Sequence, residues 1–254
     1  MLKKIRIGKG VKIIAGVVVL LSVISFAERK QGSETCKEIV VKLGNQYDNF
    51  FIDENDILAL MTDDGDDVII GKDFTEINLK TIEERVRTQK FLQKAEIYRD
   101  LKGNILVNAQ LRRPFARIVD PSVPRGYVST DGVILPPSSK YTSRTIILSG
   151  SHMKQLVKSD LTDTEEGKKI YELLKFIDGD EFWKAQIAQV DIDNKMNVLI
   201  YPQVTKQIVE FGQPKDLEAK FKKLKIFYKQ ILPQKGWNTY ERVNLEYKDQ
   251  IIAE

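Results

Sequence analysis

The chain has 254 residues, of which 42% are hydrophobic and 30% are charged. It is therefore long enough to bury the cores of one or two domains, and its apolar residues are spread too evenly for a largely disordered protein. The net charge is +4, but five lysine and arginine residues lie within residues 1–12, and the remaining chain holds 35 basic and 36 acidic residues. A near-neutral body argues against a nucleic-acid-binding face.

An uncharged run of fifteen residues, Ile13 to Ala27, follows the basic tail at residues 1–12. A helix of this length spans about 22 Å, short of the roughly 30 Å hydrocarbon core of a bilayer, so crossing it requires snorkelling of Lys12 or a locally thin membrane. We favour an uncleaved transmembrane signal-anchor over residues 13–27. A cleaved signal peptide, with small residues at Ser25 and Ala27, and a buried helix remain as alternatives. The preceding positive charges predict a cytoplasmic N-terminus and an exported body.

The next hundred residues predict a small α+β domain in the order β-α-α-β-β. A polar spacer, residues 28–35, precedes a strand at residues 36–43. A helix follows with Asp53 as its N-cap and Asp56 in its first turn, and a second amphipathic helix carries Leu79, Ile82 and Val86 on one face. The two apolar segments around the turn at residues 101–103 predict a hairpin. Prolines at positions 114, 121 and 124 place the predicted domain boundary near residues 119–120.

The second part, residues 120–254, predicts a mixed β domain with flanking helices. Asp131-Gly132 separates two apolar runs, which is a strong hairpin signal, and residues 185–202 predict a second hairpin around Asp193-Asn194. Further strands are predicted at residues 144–150 and 206–212. Residues 164–177 follow the i, i+3, i+4, i+7 pattern of an amphipathic helix, and Pro214 opens another. In the last stretch, Val243, Leu245 and Tyr247 alternate with polar residues, which predicts a terminal strand.

No constellation of residues points to catalysis. The single histidine, His152, has no G-x-S-x-G nucleophile motif in the chain, and one histidine with one cysteine, Cys36, does not make a typical zinc site. The acidic cluster at residues 63–67 lacks the spacing of a calcium loop. The lysine run at residues 220–225 is interpreted as the solvated face of a helix, with a patch that binds an acidic partner as the alternative. A binding protein is therefore the better class.

Four segments in this order resemble one family, the bacterial division proteins FtsQ/DivIB in their Bacteroidetes-like form. They are the basic tail with a span ending in SFAERKQ, the first domain closing with VNAQLRRPFARIV, the hairpin YVSTDGVILPPSSKYTSR, and the C-terminal WNTYERVNLEYKDQIIAE. The resemblance implies a POTRA-like domain at residues 36–119 and a β domain at residues 120–254. It also implies a single-pass inner-membrane protein with a periplasmic body at the division septum, without enzymatic activity or cofactor.

The same resemblance implies partners: FtsB- and FtsL-like division proteins, together with the septal wall synthases that the complex regulates. In the family, a partner strand adds to the exposed edge of the last strand, which is an accepted mode of peptide recognition. One departure is Glu246, where a basic residue is expected. The helix around residues 220–228 is a weaker second candidate. The partner-binding residues implied here are Arg242, Val243, Asn244, Leu245, Glu246, Tyr247 and Lys248.

Two other functions remain open at this point. A POTRA-like domain is also expected in a periplasmic chaperone or transport module that handles outer-membrane proteins. A periplasmic hydrolase with paired carboxylates is a third class, although 36 acidic residues make such pairs uninformative.

Overall fold

The computed structural model describes residues 9–32, 34–44, 49–248 and 250–254, and the chain divides into two compact units. The first contains the described residues up to Gly44 and Asp53–Gln110, and the second contains residues 49–52 and Leu111–Glu254. The division falls after Gln110, earlier than the predicted boundary near residues 119–120. The segment at residues 49–52, which lies between two elements of the first unit in sequence, belongs to the second unit.

Helix α1, Lys9–Gly32, includes the whole predicted transmembrane segment from Ile13 to Ala27. Within the described residues, however, no helix is both long enough and apolar enough to cross a membrane. The uncharged part of α1 has fifteen residues, and the same helix carries charged residues on both sides of it. The predicted transmembrane helix is therefore not found in the structure.

The first unit has the predicted order β-α-α-β-β. Its three-stranded sheet has the order β1-β3-β2, with β1 parallel to β3 in a register that pairs Ile39 with Ile105. Strands β1 and β2 are consecutive in the chain but are separated by β3 in the sheet, because two helices connect them. The elements are β1 (Ile39–Gly44), α2 (Glu54–Met61), α3 (Leu79–Arg87), β2 (Leu92–Arg99) and β3 (Ile105–Leu111).

Helix α2 starts where the sequence predicts. The Asp53 carboxylate accepts from the backbone N–H of Asp56 at 3.1 Å, and the Asp56 carboxylate accepts from the backbone N–H of Asp53 at 2.8 Å. This reciprocal capping box satisfies backbone donors that the first turn of a helix leaves without partners. On α3, Ile82 and Val86 are buried, as the amphipathic pattern requires.

The second unit is built on a nine-stranded mixed sheet. The strand order is β12-β11-β10-β9-β8-β7-β4-β5-β6, with parallel pairs β4·β7, β7·β8 and β10·β11. The predicted hairpins appear as β5·β6 and β8·β9. The strands are β4 (Pro114–Ile118), β5 (Gly126–Ser129), β6 (Ile134–Leu135), β7 (Ile146–Ser149), β8 (Ile187–Ile192), β9 (Val198–Pro202), β10 (Ile208–Gly212), β11 (Arg242–Asn244) and β12 (Ile252–Ala253).

Helices cover this sheet and form its core with it. Trp183, Phe211, Phe221 and Phe227 are fully buried, and the rings of Trp183 and Phe211 lie 4.9 and 5.2 Å from that of Phe221. Aromatic contacts at such distances add to the burial of apolar area. The helices are α4 (Met153–Leu156), α5 (Glu165–Asp178), α6 (Glu181–Gln186), α7 (Leu217–Ile226) and α8 (Leu232–Lys235), with a π-helical segment, Phe227–Ile231, joining the last two.

Strand β4 lies in the stretch where the prolines of the sequence placed the predicted domain boundary. Pro114, one of the three prolines used to place that boundary, is the first residue of β4, a position that a strand tolerates because the proline nitrogen need not donate to the ladder. The strand then lies between β5 and β7 in the middle of the sheet, with Ala116 and Ile118 buried. The second unit therefore begins with this strand.

Candidate functional site

The C-terminal end of the nine-stranded sheet is formed by β12, not by the strand that the sequence predicted as the edge. Strand β11 lies parallel to β10, with Val209 beside Val243, and antiparallel to β12, with Val243 beside Ala253. The backbones of Arg242 and Glu254 donate to each other's carbonyl oxygens, both at 3.1 Å. Strand β11 is thus covered on both sides, and the chain folds back on itself to supply the outermost strand.

Strand β12 presents one row of backbone groups to the outside of the sheet. Because Arg242 and Glu254 form a hydrogen-bonded pair, Ala253 belongs to the alternate set, whose N–H and C=O point away from β11. Within the described residues no strand lies beyond β12. Such an edge accepts an added strand through main-chain hydrogen bonds.

A carboxylate joins β11 to β10. The Glu210 side chain accepts from Arg242 Nε at 2.7 Å and from Asn244 Nδ2 at 2.8 Å. The hydrogen bond from Arg242 lowers the pKa of the Glu210 carboxyl, outweighing the effect of burial, and the bond from Asn244 acts in the same direction. Glu210 therefore stays ionised and fixes the register of β11.

Helix α7 holds the segment that follows β11. Lys223 Nζ donates to the carbonyl oxygens of Leu245 at 2.9 Å, Tyr247 at 2.6 Å and Gln250 at 3.3 Å. A lysine ammonium has three N–H donors, and here each of them has a carbonyl acceptor in the same loop. The Lys223 side chain therefore holds the loop that leads from β11 to β12.

The neighbouring Lys220 is buried rather than solvated. Its Nζ donates to the carbonyl oxygens of Phe211 at 2.7 Å and Gln213 at 2.8 Å, and it lies 4.7 Å from the centroid of the Phe211 ring. Burial lowers the pKa of this ammonium, although the charge of Glu246 opposes the effect. The interpretation of residues 220–225 as a solvated face was wrong for Lys220, which is buried, whereas Lys222 is exposed. Lys223 binds backbone carbonyls and Lys225 pairs with Asp180.

A groove of about 860 Å³ runs between α7 and residues 245–248. Ile226 and Tyr247 in its wall are 42% and 50% exposed, and Ile252 on β12 is 39% exposed. The Glu246 side chain lies over Gly212, where a β-carbon would come within 2.6 Å of its Cγ. The groove and the outer edge of β12 thus place partly exposed apolar side chains on the same end of the unit.

The seven residues predicted for partner binding fall into two groups. Val243 and Leu245 are fully buried, and Asn244 is half-buried against Glu210, so these three support the sheet. Arg242, Glu246, Tyr247 and Lys248 are exposed, and the last three line the groove. The partner-binding role of all seven stays a prediction.

The sequence analysis missed one contributor to this site, the edge strand β12. It included Lys223 and Ile226 only within the weaker second candidate, the helix around residues 220–228, and gave neither of them a role. The apolar Ile251-Ile252-Ala253 run was a signal for a strand, but two paired residues are too few for a periodic pattern. The contact between Lys223 and the loop joins residues more than twenty positions apart, which local patterns do not reveal.

His152 and Cys36, the residues considered for catalysis or metal binding, are both buried. His152 is buried with its Nε2 2.9 Å from Glu166 Oε2, and Cys36 is a buried thiol whose pKa is raised by burial. Among the described residues, no three His, Cys, Asp or Glu side chains come together to hold a metal ion.

These features define a two-unit α+β protein, with a POTRA-like fold followed by a mixed-sheet domain whose end is open to another strand. Comparison with known families agrees: residues 34–110 match the POTRA-like domain, and residues 113–254 match the family described as FtsQ/DivIB, C-terminal related. The second match covers more than half of the chain, which therefore belongs to this FtsQ/DivIB-related family. No curated protein matches the chain. The family is one of generally non-enzymatic division proteins.

Proposed function

We propose that this protein is a non-enzymatic scaffold of the bacterial division complex that binds FtsB- and FtsL-like proteins at the end of its nine-stranded sheet. One observation carries the proposal: the outward-facing backbone of Ala253 on β12 has no strand beside it in the described part of the chain. A partner strand added there gains main-chain hydrogen bonds, and the family match supplies the class of partner.

The adjacent groove gives this interaction its side-chain contacts. Tyr247 and Ile226 offer apolar area, and tyrosine is among the residues that contribute most at interfaces. Five lysines and two acidic residues line the groove, so its charge favours an acidic partner segment. The groove thus keeps a net positive charge although Glu246 stands where the family resemblance implies a basic residue, because the surrounding lysines outnumber it. The lysines are Lys215, Lys220, Lys222, Lys223 and Lys248, and the acidic residues are Asp216 and Glu246.

Residence in the inner membrane at the septum, with the body in the periplasm, is part of the same proposal. It is supported by the family match and by the basic tail and uncharged run of the sequence. Membrane fractionation tests it: the full chain stays with the membranes after a carbonate wash, whereas recovery in the soluble fraction contradicts it.

Site-specific photocrosslinking in living cells tests the binding site. A photoreactive phenylalanine at Ala253 or Tyr247 is expected to form adducts with FtsB- or FtsL-like proteins, and the same group at Glu172, exposed on α5, is not. Adducts that are equal at all three positions, or absent at the first two, contradict the proposed edge. Depletion of the protein is expected to give filamentous cells.

A second candidate, a periplasmic chaperone or transport module for outer-membrane proteins, rests on the POTRA-like match. It predicts that depletion lowers the outer-membrane protein content while septation continues. Filaments with a normal outer-membrane protein profile favour the division scaffold.

A further inference from the structure

A second concave site lies in the nine-stranded sheet domain, at the start of β4 and β7. It is a pocket of about 670 Å³. Four of its lining side chains are cationic, and one is acidic: Arg113, Arg117, Arg144 and Lys184, with Asp178. None of these five residues lines the groove beside α7. The pocket is therefore independent of the proposed partner-binding edge.

The one carboxylate is already shared by two of the cations. Arg113 Nη1 donates to Asp178 Oδ1 at 3.1 Å, its Nη2 donates to Oδ2, and Lys184 Nζ lies 3.4 Å from Oδ1. Burial opposes ionisation of Asp178, but these neighbours outweigh it and lower the pKa of the carboxyl. Asp178 therefore remains charged and neutralises part of the positive charge on its own side of the pocket.

The other two cations are not neutralised. Arg117 and Arg144 make no ion pair within the described part of the chain, although both line the pocket. Arg117 is half-buried on the sheet, where it pairs in register with Ile147 of β7. The one carboxylate of the pocket, Asp178, is engaged by Arg113 and Lys184, so the charges of Arg117 and Arg144 favour the binding of an anion.

Hydroxyl groups complete the lining. Thr142, Ser143 and Thr145 belong to the pocket, and the Oγ1 atom of Thr145 is buried without a hydrogen-bond partner among the described residues. Thr145 directly precedes β7 and lines the pocket together with Arg117. Thr142 in the same lining is exposed, and its hydroxyl offers an additional donor to an anion.

We propose that this pocket binds the phosphate of a small phosphate-bearing ligand, a monoester or a diphosphate. Guanidinium groups match the paired oxygens of phosphate in bidentate geometry, and threonine and serine hydroxyls donate to the remaining oxygens. The volume is in the range of small-ligand sites. Both a soluble phosphate compound and the headgroup of an anionic lipid carry this chemistry.

Titration calorimetry of the full chain in detergent micelles, with inorganic pyrophosphate as probe, tests the site. The parent is expected to bind saturably, and Arg117→Gln and Arg144→Gln are each expected to weaken binding about tenfold or more, the effect of losing one charge-assisted hydrogen bond. The control Arg125→Gln removes an exposed arginine outside the pocket and is expected to change affinity less than about twofold. Because Arg144 is exposed, Arg144→Gln should leave the fold intact, and it therefore tests the site even if Arg117→Gln destabilises the protein.

Further probes distinguish the source of the phosphate. Binding of short-chain phosphatidylglycerol, but not phosphatidylcholine of equal chain length, that is lost in Arg144→Gln supports a lipid headgroup. Binding of pyrophosphate alone supports a soluble ligand. The absence of saturable binding to either, an equal loss in Arg125→Gln, or stronger binding of an acidic peptide than of pyrophosphate overturns the proposal.

Discussion

Lys223 on helix α7 donates to the carbonyl oxygen of Tyr247 at 2.6 Å, across twenty-four positions of sequence. The same ammonium reaches the carbonyl oxygens of Leu245 and Gln250. One side chain thereby holds the loop between β11 and β12, and the outermost strand of the sheet depends on it. The proposed binding edge is consequently built from a helix as well as from strands.

Replacing this lysine is expected to loosen the edge. Lys223→Met keeps most of the apolar stem but removes three donors, so we expect the free energy of unfolding to fall by about 1–2 kcal/mol. Urea denaturation gives this value, and hydrogen exchange at residues 245–254 should be faster than in the parent. Lys222→Met, at the exposed neighbouring position, should change both by little. Equal effects of the two variants would contradict the role assigned to Lys223.

Glu210 is expected to make the stability of the second unit depend on pH. Its pKa is lowered from the ordinary value of 4.5 chiefly by the hydrogen bond from Arg242. The unfolded chain therefore binds a proton at a higher pH than the folded one. The stabilisation is complete above pH 4.5 and is lost as the pH falls through the lowered folded value.

The side chain of the variant Glu210→Gln does not titrate. Its free energy of unfolding should therefore fall less steeply than that of the parent between pH 5 and about pH 3. Urea midpoints measured across this range check the slope. Glu241→Gln, which removes an exposed carboxylate nearby, serves as the control and should follow the parent. Parallel curves for the parent and Glu210→Gln would show that the Arg242 contact adds nothing to folding.

Local signals predicted most of the fold. The N-cap at Asp53, the amphipathic face of α3 and the Asp131-Gly132 hairpin depend on neighbours within a few residues, and the structure confirms each of them. Periodicity also predicted α5, whose Ile170, Leu173, Leu174 and Ile177 are all buried.

Long-range pairing could not be predicted in the same way. Strand β4 was not predicted, because Pro114, Pro121 and Pro124 were interpreted as a domain boundary, and both of its neighbours in the sheet come later in the chain. Strand β12 has two residues, too few for a pattern, and only its pairing with Val243 and Asn244 defines it. At the candidate site, alternation predicted one strand with Val243, Leu245 and Tyr247, but β11 ends at Asn244 and Tyr247 is half exposed. The pattern also did not reveal that β12 covers β11.

Gly167 is expected to resist a substitution that normally favours helices. It lies in the first turn of α5, and a β-carbon there would come within 2.3 Å of the carbonyl oxygen of Leu161. Alanine gains about 1 kcal/mol of helix propensity over glycine, but overpacking of this kind costs about 1–3 kcal/mol. Gly167→Ala should therefore lower the melting temperature, whereas Lys169→Ala, exposed in the same helix, should not. An unchanged melting temperature for Gly167→Ala would mean that the Leu161 turn moves away freely.

Tyr247 is expected to matter for binding and little for folding. Its side chain is 50% exposed, and its contact with Lys223 is made by the backbone. Tyr247→Ala should weaken binding of an FtsB-like partner about tenfold, a typical loss for an interfacial tyrosine, while the melting temperature stays within a few degrees. Trp237→Ala removes another half-exposed aromatic side chain outside the groove and should leave affinity unchanged. Undiminished pull-down by Tyr247→Ala would remove the groove from the binding site.

Two proline substitutions separate pairing with a partner from folding. Ala253→Pro removes an N–H that points away from β11, a place where an edge strand tolerates proline, so the protein should fold and lose partner binding. Leu245→Pro removes an N–H that donates to the carbonyl oxygen of Glu210 at 3.0 Å beside a fully buried side chain, so it should unfold the sheet end. Ala253→Ser keeps the outward N–H and is the matched control. Circular dichroism with co-purification distinguishes the cases: a folded Ala253→Pro that still retains its partner would refute strand addition at β12.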